Sequence, residues 1–131
     1  MKVIKFGGTS LGSPERMKKV AELVSKEEAI VVLSAISGTT NSLTEIAQLL
    51  YKNERNTAKQ KITELQASYV IFIDNLLQEK AQQTKAIDLV SSHFSHIDSF
   101  TEDLFTVHEE KMILAQANYY PQPYSNCIWR N

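Results

Sequence analysis

The stretch MKVIKFGGTS, residues 1–10, decides most of the fold. A short run of strand-forming residues over positions 2–7 leads directly into the pair Gly7-Gly8. Two glycines let the backbone turn sharply and approach a ligand closely. Exposed amide N–H groups next to Lys5 favour a cradle for phosphate, although a tight turn with a lysine nearby has the same local pattern.

A helix is predicted to follow this glycine loop. Ser13-Pro14-Glu15 has the order of an N-cap, a first-turn proline and an early acid, and apolar residues then recur at helical spacing through residues 14–27. The glycine spacing matches neither Gly-x-Gly-x-x-Gly nor the Walker A pattern, which disfavours a dinucleotide-binding Rossmann site and a P-loop nucleotidase.

A second strand is predicted at residues 29–35, an almost unbroken apolar run. Such a run is typical of a central strand covered on both faces. Strand, helix and parallel strand form a right-handed βαβ unit, whose strands end at the same sheet edge. We therefore expect Gly7-Gly8 and the loop at residues 34–41 to converge on one cleft.

Two motifs carry a resemblance to a known family. The segment KFGGTS at residues 5–10 is similar to the signature of aspartokinases, members of the amino-acid kinase superfamily. The segment VVLSAISGTTNSL at residues 31–43 resembles the second motif of the same family, at the same separation. The likeness runs from Met1 to about Gln116 and is weak in its middle.

This resemblance implies a fold and a reaction. The fold class would be α/β, the N-terminal part of an amino-acid kinase (carbamate-kinase-like) fold, with a βαβ unit followed by a large helical segment. The reaction would be transfer of the γ-phosphoryl group of ATP, with Mg²⁺, to the side-chain carboxylate of L-aspartate. The product, 4-phospho-L-aspartate, leads towards lysine, threonine and methionine.

The same resemblance assigns roles to residues. Lys5 is the candidate catalytic residue, neutralising the transferred phosphate, and its alternative role is a solvent-facing strand lysine. The ATP-binding segment implied by the family comprises Lys5, Phe6, Gly7, Gly8, Thr9 and Ser10. The residues implied for the aspartate pocket are Ser34, Thr40 and Asn41, although Thr40 or Asn41 would also serve as an N-cap of the next helix.

Residues 42–116 are predicted to be mainly helical, beginning with a helix at about residues 42–53. Apolar residues there recur at helical spacing and predict buried stripes: Ile62, Leu65, Tyr69, Phe72, Ile73, Leu76 and Leu77; Ile87, Val90, Phe94 and Ile97; and Leu104, Val107, Met112 and Ile113. His93, His96 and Asp98 share a helical stretch, but scattered histidines without cysteine partners favour a solvated face, and we assign no metal site.

Composition restricts the remaining classes. The 131 residues carry 14 basic and 15 acidic side chains, which gives no reason to expect binding to nucleic acid or to an anionic membrane. No apolar run approaches the roughly 20 residues of a membrane span, and the start lacks a signal-peptide core, so we expect a cytoplasmic protein. A single cysteine, Cys127, excludes an internal disulfide framework. Exposed core faces of a partial domain would favour a homo-oligomer.

The tail at residues 117–131 differs from the rest of the chain, with the only cysteine, the only tryptophan and two of the three prolines. In aspartokinases a helix like KMILAQ, residues 111–116, is followed by Gly-Glu-x-x-Ser. Codons can be chosen for the tail such that one G inserted before codon 117 changes the reading to Gly-Glu-Leu-Leu-Ser, followed by an amphipathic helix. We therefore expect a frameshift after Gln116, the alternative being a divergent C-terminus.

Together these inferences divide the chain into residues 1–116, the N-terminal part of an aspartokinase catalytic domain, and an out-of-frame tail at residues 117–131. Within the first part, residues 1–41 hold the phosphate and substrate loops and residues 42–116 are helical. We expect this chain to be inactive alone. The alternatives are a non-catalytic helical interaction module and an amino-acid kinase with another substrate.

Overall fold

The computed structural model describes residues 2–102 and 104–116. The elements in chain order are β1 (Lys2–Phe6), α1 (Pro14–Val24), β2 (Ala29–Leu33), α2 (Thr39–Tyr51), α3 (Arg55–Leu76), α4 (Lys80–Ser99) and α5 (Val107–Gln116). The predicted α/β class is confirmed, with a βαβ unit followed by helices. The tail at residues 117–131, interpreted above as out of frame, lies outside the described residues.

The βαβ unit forms as the sequence predicts. β1 and β2 pair in parallel with Lys2 opposite Ala29 and Phe6 opposite Leu33. Ser13 caps α1, its hydroxyl accepting a hydrogen bond from the Arg16 amide at 3.2 Å. α1 ends at Val24 rather than at residue 27, because the polar residues that follow offer no apolar side chain to extend the buried face.

The prediction that β2 is covered on both faces is wrong. Phe6 and Leu33 lie on one face of the sheet and pack against the core. On the other face Ile30 and Val32 remain 47% and 42% exposed, and Val3 of β1 is more exposed still. The described helices cover a single face of a two-stranded sheet. Only the apolar side chains on that face of β2 are therefore packed against the core, and those on the other face are exposed.

The helical segment is confirmed for the described residues. α3 packs against α1, α2 and α4, and α5 packs against α2. None of the described helices combines the length and the apolar character needed to cross a membrane. The core that joins these helices to the loops of the sheet includes Leu11, Met17, Leu43, Ile46, Ile73, Val90, Phe94, Ile97 and Ile113.

Two helical predictions need correction. α2 begins at Thr39, not at residue 42, and its N-cap is Gly38 with φ of 89°, so neither Thr40 nor Asn41 caps it. Gly38 turns the chain into α2 through its left-handed backbone conformation, and no side chain caps this end of the helix. Leu104, predicted to lie in a buried stripe, is 82% exposed because it precedes α5, and Val107 is also exposed.

Candidate functional site

The first loop, residues 7–12, is a run of consecutive tight turns. The amide of Ser10 donates to the Gly7 carbonyl at 3.0 Å, and that of Leu11 donates to the Gly8 carbonyl at 3.2 Å. Within the described chain, the amides of Gly8 and Thr9 donate to no backbone carbonyl. Unused N–H groups at the start of such a turn attract anions, as at the first turn of a helix.

The two glycines of this loop have different surroundings. A Cβ on Gly8 would lie 3.0 Å from the Ala35 carbonyl oxygen and 3.6 Å from the Cα of Ser37. A Cβ on Gly7 would meet nothing within 4 Å. Gly8 is therefore required for contact between the two loops, whereas the open side of Gly7 is available to a ligand.

The loop that follows β2 meets the first loop at the sheet edge, as the βαβ geometry predicts. The amide of Ser34 donates to the Phe6 carbonyl at 3.0 Å, which extends the strand pairing by one residue. A Cβ on Gly12 would lie 3.4 Å from the Cβ of Ser37. The two sequence motifs therefore lie in direct contact.

Lys5 lies on the open face of the sheet, opposite Val32, and its side chain is exposed. Among residues 2–102 and 104–116 it has no ion-pair partner. Lys2 on the same strand differs, since its ammonium contacts the Glu27 carboxylate at 2.9 Å. Phe6, which precedes the two glycines, is partly buried and packs against the core.

The residues assigned to the aspartate pocket have unequal exposure. Ser34 is half-buried at the end of β2, whereas Thr40 and Asn41 are exposed in the first turn of α2. The amides of Thr40 and Asn41 donate to no carbonyl of the described residues, and α2 has no side-chain cap. The first turn of α2 thus carries free donors at the same sheet edge as the first loop.

Sequence reasoning missed two contacts that hold these loops. The Arg16 guanidinium of α1 donates to the Thr9 carbonyl at 2.9 Å. The hydroxyl groups of Thr39 and Tyr69 form a buried hydrogen bond of 2.5 Å. Arg16 was detectable in principle, because a first-turn cation after a glycine loop can reach back to it. The second contact joins residues 30 positions apart and has no local signal.

Two clefts flank the contact between the loops. One, of about 290 Å³, lies between the second loop and α3 and is lined by Gly12, Ile36, Ser37, Gly38, Thr39, Ser42, Leu65, Ser68, Tyr69 and Phe72. The other, of about 330 Å³, lies beside α1 and is lined by Phe6, Thr9, Ser10, Arg16, Lys19, Val20 and Leu23. Thr9 and Ser10 of the first motif therefore border the cleft that also contains Arg16 and Lys19.

One acidic side chain in the first turn of α1 has a lowered pKa. Hydrogen bonds from the backbone and from the Ser13 hydroxyl hold the pKa of Glu15 below its usual value. His93 hydrogen-bonds Gln116 at 2.7 Å, and His96 packs edge-on against Phe100. No group of three metal-ligating side chains occurs among the described residues.

Comparison with known proteins finds a matching family profile and several similar sequences. The profile of the amino acid kinase family matches residues 1–120. An aspartate kinase of Pseudomonas putida is 53% identical over 51 residues, which is 35% of this chain and 12% of that protein. An aspartokinase of Chlamydia trachomatis is 40% identical over 63 residues, 47% of this chain and 14% of that protein.

A longer and weaker match is a bifunctional aspartokinase/homoserine dehydrogenase of Haemophilus influenzae, 32% identical over 112 residues. It covers 79% of this chain but 13% of that protein. The chain thus spans a small fraction of the length of the relatives it matches.

Proposed function

The chain belongs to the amino acid kinase family, and on this basis we propose that it carries the phosphate loop and part of the substrate pocket of an aspartate kinase. The complete enzyme would transfer the γ-phosphoryl group of ATP to the side-chain carboxylate of L-aspartate. The product would be 4-phospho-L-aspartate. The relatives named above support aspartate as the substrate.

The observation that carries this proposal is the direct contact between the two loops. A Cβ on Gly8 would lie 3.0 Å from the Ala35 carbonyl, so the phosphate motif and the substrate motif form one surface. Both loops present unused amide N–H groups there, and Lys5 adds a cation without an ion-pair partner among the described residues. A phosphate and a carboxylate are the anions that such a surface would bind side by side.

Phosphoryl transfer to a carboxylate requires mainly that the protein position the reacting groups. The side chain of aspartate is ionised near neutral pH, so attack on phosphorus needs no general base. We assign Lys5 to neutralise charge on the transferred phosphoryl group, and the backbone of Gly7 and Gly8 to hold its oxygens. Ser34, Thr40 and Asn41 would orient the aspartate for in-line attack.

Mg²⁺ finds no strong ligand in the two loops. Residues 7–12 and 34–41 contain no carboxylate, the ligand that Mg²⁺ prefers in proteins. We therefore propose that any Mg²⁺ reaches this surface on the phosphates of the nucleotide, and we derive no step through it.

This chain alone should bind weakly and should not turn over. By resemblance, the adenine-binding loops and the later acidic and basic residues of the aspartate site lie outside these 131 residues. The expected ligand of the first loop is accordingly the triphosphate group, without preference for its base. Phosphorylation of aspartate by the purified chain above background would contradict the expected inactivity.

An NMR titration tests the proposal. ATP should shift the amide signals of residues 7–10, and inorganic tripolyphosphate should do the same. L-Aspartate should shift those of Ser34, Thr40 and Asn41, with L-glutamate as the matched control for substrate length. Shifts confined to other surfaces, or no shifts with any of these ligands, would contradict the proposed site.

A further inference from the structure

A tyrosine of the helical segment is in contact with the second loop. The Tyr69 hydroxyl, in the middle of α3, forms a hydrogen bond of 2.5 Å with the Thr39 hydroxyl at the start of α2. Both residues are buried, at 3% and 2% exposure. Neither belongs to the site residues assigned from the sequence.

The ring of Tyr69 is fixed from the other side. Phe94 of α4 lies edge-on to it, with ring centroids 5.9 Å apart, and is itself fully buried. Edge-to-face aromatic pairs of this kind restrict ring orientation. The position of the Tyr69 hydroxyl is therefore set by the packing of α3 against α4.

Thr39 occupies the position where the second loop becomes a helix. It follows Gly38, whose φ of 89° is left-handed, and α2 has no side-chain cap to hold this turn. Successive helical residues point about 100° apart, so an inward Thr39 turns Thr40 and Asn41 towards solvent. Both are indeed exposed.

We propose that Tyr69 is a positioning residue for the substrate loop. Its hydroxyl anchors Thr39, and this contact holds the first turn of α2 in the orientation that presents Thr40 and Asn41 to aspartate. The proposal rests on the proposed function for the identity of the ligand. It adds a residue from the helical segment, which also forms one wall of the 290 Å³ cleft beside the loop.

Hydrogen exchange measures the anchoring without any ligand. The amides of Thr39 and Ser42 donate to the carbonyls of Ile36 and Gly38 and report on this turn. Loss of one hydrogen bond should speed their exchange in Tyr69→Phe by about tenfold. Tyr51→Phe is the matched control: it removes a tyrosine hydroxyl at the other end of α2, where the partner is Glu110 at 2.9 Å.

Substitutions of Thr39 test the pairing. Thr39→Ser keeps the hydroxyl and should retain slow exchange, whereas Thr39→Val should behave like Tyr69→Phe. The double variant should be no worse than either single variant, since one contact is lost in all three. Additive effects would indicate that the two hydroxyls act separately and would overturn the proposal.

Ligand titration separates positioning from a general role in the core. Tyr69→Phe should weaken L-aspartate binding about tenfold and leave ATP binding unchanged, because the hydroxyl that is removed bonds Thr39 of the second loop. Equal weakening of both ligands, or unchanged exchange at Thr39 and Ser42, would overturn the proposal. A wild-type chain that binds neither ligand would contradict the proposed function instead, and the exchange comparison would still decide the role of Tyr69.

Discussion

Gly8 and the Ala35 carbonyl oxygen are so close that a Cβ on Gly8 would lie 3.0 Å from that oxygen. The obstructing atom belongs to the backbone that continues β2, so it cannot rotate away as a side chain would. Gly8→Ala should lower the free energy of unfolding by about 1–2 kcal/mol. Urea denaturation would measure this loss, and wild-type stability in Gly8→Ala would contradict the loop contact.

Gly7→Ala should separate stability from binding. Its added Cβ meets nothing within 4 Å, so stability should be unchanged or higher by up to about 1 kcal/mol. Triphosphate binding should nevertheless weaken, because the methyl group occupies the side that we assign to the ligand. Denaturation and titration of the same preparation would measure both. Unchanged affinity in Gly7→Ala would indicate that the phosphate lies elsewhere.

Tyr69 should ionise later than an ordinary tyrosine. Burial raises its pKa to about 12, and the hydrogen bond with Thr39 offsets this only in part. Because the folded-state pKa exceeds the unfolded value of about 10, the contribution to stability is full below pH 10 and is lost as the pH rises towards 12. That loss is roughly 2–3 kcal/mol.

Ultraviolet titration of the phenolate measures this directly. One of the five tyrosines should titrate near pH 12, or only on unfolding, and Tyr69→Phe should remove that step. A wild-type curve in which every tyrosine ionises near pH 10 would contradict the burial of Tyr69.

The open face of the sheet should promote self-association. Val3, Ile30 and Val32 expose apolar surface there on two paired strands. Val32→Thr keeps the shape and reduces the apolar character, so it should shift sedimentation towards the monomer. Ile71→Thr, at an exposed position on α3, is the control and should have less effect. Equal effects of the two variants would argue against the sheet face as the contact between copies.

The gene sequence tests the interpretation of the tail. A single base inserted at codon 117 should open a long downstream frame beginning with Gly-Glu-x-x-Ser. If no such insertion opens a frame, the frameshift interpretation of residues 117–131 is wrong.

The sequence predicts what local chemistry determines. Ser13, Pro14 and Glu15 specify the start of α1 through a cap, a fixed φ and a first-turn acid, and the structure has all three. The apolar run of β2 predicts a strand correctly, but it cannot reveal whether other elements cover Ile30 and Val32. Burial of a strand face depends on which other elements pack against it, and the strand's own residues do not specify those elements.

In the candidate site, too, some features are predictable from the sequence and others depend on residues far apart in the chain. Contact between the two loops follows from the parallel order of β1 and β2, since both strands end at one edge. The sequence pattern predicts the start of α2 three residues too late, because Gly38 turns the chain through its backbone conformation and no hydroxyl or amide side chain caps the helix. Helical periodicity predicts that Tyr69 is buried, but it cannot reveal the hydroxyl partner Thr39, which lies 30 residues away.

Two lysines of β1 provide the most direct test of the phosphate site. Lys5 has no ion-pair partner among the described residues, whereas Lys2 contacts Glu27 at 2.9 Å. Each is replaced by Met, which removes the charge and keeps the length, and ATP affinity is measured by titration at low ionic strength. Lys5→Met should weaken ATP binding about tenfold and Lys2→Met by less than about twofold. Equal affinities for the two variants would contradict the assignment of Lys5 to the phosphate.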